Sequence, residues 1–94
     1  MTELGEDLRI CQSERTAARV IEGRGVVIVI DQQKLHTLNE VGTRVWELAD
    51  GRALSEIVDA VTAEFEVERA QALDDVRKFV EEMCGLGAIE LRKA

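Results

Sequence analysis

The stretch His36-Thr37-Leu38-Asn39-Glu40-Val41-Gly42-Thr43-Arg44-Val45-Trp46-Glu47-Leu48-Ala49-Asp50-Gly51 reads as the end of a strand running straight into a capped helix. Leu38 closes an apolar segment, and Asn39 offers a side-chain oxygen to the first unpaired helical N–H groups. Glu40 then falls in the first turn, where the positive end of the helix dipole favours it. Val41, Val45 and Leu48 recur at i, i+4 and i+7 on one helical face, and Trp46 and Ala49 widen the stripe. Asp50-Gly51 reads as the stop, glycine being the residue that most easily takes a left-handed backbone. A sheet is expected before this helix and a helical half after it.

Working toward the N-terminus, Lys34-Leu35-His36-Thr37-Leu38 alternates as a half-buried strand does. The run Val26-Val27-Ile28-Val29-Ile30 is wholly β-branched, which predicts a strand covered on both faces or lying centrally. Ala18-Arg19-Val20-Ile21-Glu22 is a further strand, and Gly23-Arg24-Gly25 suits the tight turn between the two. Three short strands with short turns predict an antiparallel meander. Residues 1–17 read as a solvated tail, within which Leu8-Arg9-Ile10-Cys11 alternates weakly and would make a short edge strand.

Toward the C-terminus, Ser55 is a natural N-cap for a second helix, with Ile57, Val61 and Phe65 spaced on one face. A third helix is expected over residues 70–84, with Leu73, Val76, Val80 and Met83 on one face and Phe79 alongside. Gly85 or Gly87 would end it, and Ala88-Ile89-Glu90-Leu91 would add a last short strand. The class is therefore α+β: a three-stranded antiparallel sheet followed by a three-helix bundle, winged-helix-like in outline.

The totals narrow the function. At 94 residues the chain makes one domain with a core of Val, Leu, Ile and Ala, since aromatics number only one Trp and two Phe. Net charge is −7, and each helical segment is acidic, which disfavours the phosphate neutralisation that duplex binding needs. Cys11 and Cys84 stand alone, without CxxC or metal-ligand spacing, so two reduced thiols are a plainer reading than a disulfide. The N-terminus does not read as a signal peptide, and the longest apolar run is too short to span a bilayer, so a cytoplasmic protein is expected.

Reaction chemistry is missing from the pattern. His36 is the lone histidine and has no second ligand or nucleophile at a useful spacing. Ser55 is accounted for by capping, and Gly23-Arg24-Gly25 by a turn. Neither an enzyme, a cofactor nor a metal site is expected; a binding module is.

Taken in order, Leu38-Asn39, Val45-Trp46-Glu47-Leu48, Asp50-Gly51, Ser55-Glu56-Ile57-Val58, Asp75-Val76-Arg77-Lys78-Phe79-Val80, Met83 and Gly87-Ala88-Ile89 resemble the PqqD family, the peptide-recognition domains also called RiPP recognition elements. The resemblance places the domain at residues 18–94. It implies a winged-helix-like fold and a non-catalytic peptide chaperone. Such a protein captures the leader of a ribosomally made precursor peptide and presents it to a modifying enzyme. A radical SAM enzyme in PQQ or another peptide natural product pathway is the implied partner. The leader would add as a strand beside residues 34–38 and lie against the helix of residues 70–84. The implied contacts are Lys34, Leu35, His36, Thr37 and Leu38 on the strand, with Asp75, Val76, Phe79, Val80 and Met83 on the helix. Strand addition is physically apt, because an unpaired sheet edge offers N–H and C=O groups that an extended peptide satisfies. A DNA-binding winged helix and a generic protein-interaction domain are the competing readings. Nucleic acid and membrane are not expected partners; a monomer and a homodimer are both open.

Overall fold

The computed structural model describes residues 4–93. In chain order it contains β1 (Arg9–Gln12), β2 (Thr16–Ile21), β3 (Arg24–Val29), a 3₁₀ turn (Ile30–Gln32), β4 (Lys34–Thr37), α1 (Glu40–Leu48), β5 (Asp50–Ala53), α2 (Leu54–Phe65), α3 (Arg69–Gly85) and β6 (Ile89–Arg92). The class is α+β. Strands β2, β3 and β4 form the antiparallel meander, and β5, β1 and β6 form a second three-stranded sheet.

The meander's turn lies one residue earlier than the glycine pair suggests. Glu22 and Gly23 both take positive φ, 52° and 80°, and join Ile21 to its partner Arg24 as a two-residue hairpin. Gly25 is instead inside β3, where contact rather than turn geometry demands glycine. A Cβ there would lie 3.2 Å from Thr43 Oγ1 and 3.3 Å from Leu38 Cδ1. Its N–H donates to Thr43 Oγ1 at 2.7 Å, and its carbonyl accepts from Leu38 N–H at 2.7 Å. Gly25 thus ties the meander to the start of α1.

Only one face of β3 is covered. Val27 and Val29 are buried, while Ile28 and Ile30 are exposed, so the β-branched run is not sandwiched as its composition suggests. Strand β2 is exposed along nearly its whole length.

Asn39 caps α1 by accepting from Gly42 N–H at 2.7 Å. The helix ends at Leu48, and Asp50–Ala53 continues as a strand rather than a stop, paired with β1. Strand β1 is accordingly central in its sheet, not an edge, and Ile10 is wholly buried. Chain direction then carries β5 directly into α2, with Ala53 at the cap position that the sequence offers to Ser55. The first helical N–H groups find backbone acceptors, Leu54 on Leu8 and Ser55 on Glu6, so no hydroxyl cap is required. At the other end of the helical half, Gly87 (φ 79°) closes α3: Ala88 N–H donates to Met83 O and Gly87 N–H to Cys84 O.

The core is continuous from β1 and β3 through the helices, with Ile10, Val27, Val45, Leu54, Ile57, Val58, Val61, Val76 and Val80 all but inaccessible. Trp46 is a core residue, and its carbonyl accepts from Gln12 Nε2. Both cysteines are free thiols.

Candidate functional site

Strand β4 has β3 on one side and, among the described residues, no strand on the other. The Leu38–Gly25 hydrogen bond fixes the phase of the ladder, because antiparallel partners alternate between bonded and non-bonded pairs. His36 opposite Val27, and Lys34 opposite Val29, therefore turn their backbone groups toward β3. Leu35 and Thr37 turn theirs outward. Four polar backbone groups are left at this edge.

The edge opens onto a groove floored by α1 and walled by α3. Two adjoining cavities compose it. One, of about 350 Å³, is lined by Asn39, Val41, Gly42, Asp75, Lys78, Phe79 and Glu82. The other, of about 230 Å³, is lined by His36, Thr37, Leu38, Asn39, Phe79, Glu82, Met83 and Leu86. Asn39, Phe79 and Glu82 border both, so the two are one trough with Phe79 at its centre. Gly42 makes room for that ring: a Cβ there would come within 2.9 Å of Phe79 Cε1.

The trough combines apolar and polar groups. Leu38 and Met83 are nearly buried beneath it, and Phe79 is half-buried. Asp75 accepts from Gln71 Nε2. Lys78 pairs with Asp74 at 3.1 Å, chiefly through a hydrogen bond that raises its pKa and keeps it charged. His36 also lines the trough, and its Nε2 is buried without a hydrogen-bond partner among the described residues.

The structure brings His36, Thr37, Leu38, Asp75, Phe79 and Met83 together around the trough. Four other anticipated residues fall elsewhere. Lys34 and Leu35 do not line it, and Leu35, opposite Ile28, is 60% exposed on the sheet's far face. Val76 and Val80 are wholly buried, because they lie on the core side of α3. Asn39, Val41, Gly42, Lys78, Glu82 and Leu86 line the trough and were not singled out as contacts. The helical phase locates the polar pair: Lys78 and Glu82 follow Asp75 and Phe79 at i+3.

Among the described residues no group of three or more His, Cys, Asp and Glu could hold a metal ion, and no helix is long and apolar enough to cross a membrane. The basic residues of α3 are already engaged: Arg69 with Glu6 and Asp59, Arg77 with the Leu4 carbonyl, and Lys78 with Asp74. That helix presents no basic stripe to a phosphate backbone.

Comparison with known proteins agrees with this fold. TbiB1 in complex with the TbiA(beta) leader peptide superposes with a TM-score of 0.80 at 28% identity, over 85% of this chain and 94% of that one. Lasso peptide synthetase B1 complexed with the leader peptide has the same fold, with a TM-score of 0.76 at 19% identity, over 87% of this chain and 98% of that one. A search of curated protein sequences gives no match. The family model described as coenzyme PQQ synthesis protein D matches residues 24–89, which hold β3 and β4 of the meander, all three helices and every residue of the trough. The chain belongs to the PqqD family.

Proposed function

We propose that this protein is a non-catalytic peptide chaperone that captures the leader of a ribosomally made precursor peptide. The observation that carries the reading is the free edge of β4 opening onto the Phe79 trough. An extended leader would pair with the outward groups of Leu35 and Thr37, and alternate side chains would drop toward α3. Main-chain bonds then supply much of the affinity, and Phe79, Met83, Asp75 and Glu82 supply selectivity. Family membership and the leader complexes of similar structures support this reading.

The captured leader would be held for a peptide-modifying enzyme, a radical SAM enzyme being the type that the sequence resemblance implies. The leader's modifiable remainder would stay outside the trough, which is only a few residues long. A cytoplasmic location accords with that role. The test is fluorescence-polarisation titration of a labelled leader from the precursor peptide encoded beside this chain, with wild type and Phe79→Ala. The variant is expected to bind about tenfold or more weakly, as for loss of a central aromatic anchor. Equal affinity for two folded proteins would place the site elsewhere.

A further inference from the structure

Strand alternation gives the meander a second face, opposite the core. Val27 and Val29 point inward, so Arg24, Val26 and Ile28 point out, joined by their cross-strand partners Ala17, Arg19 and Ile21 on β2 and Leu35 and Thr37 on β4. Ile21, Ile28 and Leu35 are 54%, 38% and 60% exposed, and Ile30 continues the patch at 54%. Ala17, Ile21, Val26 and Ile28 also line a shallow depression of about 320 Å³ on it. Large apolar side chains clustered on one exposed face mark an interaction surface.

The charge on this face is the reverse of the protein's. The chain carries −7, yet none of these outward residues is acidic, and the face holds Arg19 and Arg24. Arg9, Arg15, Arg44, Arg52 and Arg69 each sit against a carboxylate. Arg19 and Arg24 have no ion pair or side-chain hydrogen bond among the described residues. A second copy is a poor occupant, because it brings the same two arginines and no carboxylate of this face to pair with them.

We infer that the outer face of β2–β3–β4 docks the peptide-modifying enzyme, through an apolar enzyme surface rimmed by acidic side chains that pair with Arg19 and Arg24. This rests on the leader-capture reading, and continuity strengthens it. A leader added beside β4 extends the same sheet, and its outward side chains lie next to Leu35 on the docking face. The enzyme therefore meets domain and leader as one surface, and each ligand tightens the other.

The test uses the full chain, the purified modifying enzyme encoded beside it and the labelled leader, with Ile28→Glu and the exposed pair Arg19→Glu/Arg24→Glu measured separately. Both variants are expected to bind the enzyme about tenfold or more weakly while leader affinity changes less than about twofold, since neither touches the trough. Leader-loaded wild type is expected to bind the enzyme more tightly than leader-free protein. Unchanged enzyme affinity in the arginine variant overturns the inference, as does wild-type self-association in sedimentation that the same substitutions abolish. Failure of wild type to bind the leader removes the functional reading itself; normal leader binding with no enzyme contact removes only the inference.

Discussion

Replacing Thr37 with proline removes one N–H from the free edge of β4 and nothing from its ladder to β3. The phase set by Leu38 and Gly25 puts the Thr37 backbone groups on the open side. Proline is tolerated on an edge strand whose N–H faces outward, and the residue before it, His36, is already extended. The domain should therefore fold with nearly unchanged thermal stability. An added peptide strand, by contrast, loses a donor and meets the pyrrolidine ring. Leaving one peptide carbonyl without its partner costs about 1–3 kcal/mol, or roughly 5- to 150-fold in affinity. The control is His36→Pro, which deletes a ladder bond and is expected to unfold the meander. Circular-dichroism melting reports the fold, and polarisation titration with the labelled leader reports the affinity. If Thr37→Pro folds normally and binds as wild type does, strand addition at β4 is wrong, whatever Phe79 contributes.

Two further outcomes concern the fold itself. Gly25→Ala places a methyl group against Thr43 and Leu38 in a buried junction, and is expected to destabilise the protein by about 1–3 kcal/mol in urea unfolding; a neutral result would mean that the meander and α1 can separate freely. Burial, aided by the neighbouring Glu81 carboxylate, pushes the Cys84 thiol above its ordinary range, so less thiolate exists at a given pH. Alkylation of Cys84 is accordingly expected to be slower at pH 8 than that of a small free thiol, with its half-rate displaced to higher pH; equal profiles would contradict the burial.

Much of this architecture is legible along the chain, for identifiable reasons. Asn39, Glu40 and the 3.6-residue spacing of Val41, Val45 and Leu48 are local signals, and α1 forms where they indicate. The three strands of the meander likewise follow from β-branched runs broken by turns. What is not legible depends on distant partners. Asp50-Gly51-Arg52-Ala53 has no strand propensity of its own and is extended because it pairs with β1. That pairing moves β1 from an apparent edge to the centre of a sheet. It also starts α2 at Leu54, ahead of the Ser55 cap.

The trough divides the same way. Phe79, Asp75 and Met83 are reached from helical phase, and His36 to Leu38 from their place before the cap. Leu35 looks like the inward residue of its strand, yet the register opposite Ile28 sends it outward and puts His36 in. A strand of alternating Leu and His carries no sign of which face the core will take. Val76 and Val80 share a helix with the trough residues but lie on its core side, one residue and about 100° of rotation from Asp75 and Phe79. The resemblance points to β4 and α3; the register and the helix phase decide which of their residues line the trough.

The most direct measurement is residue-resolved amide hydrogen exchange with and without the leader peptide. In the free protein the amides of His36 and Leu38 should be protected and those of Leu35 and Thr37 should exchange rapidly. With the leader bound, Leu35 and Thr37 are expected to become protected, while Ala18 and Val20, whose groups face the opposite edge of the sheet, remain fast. Protection arising at Ala18 and Val20 instead, or no new protection at Leu35 and Thr37 in a saturated complex, would contradict leader capture at the β4 edge.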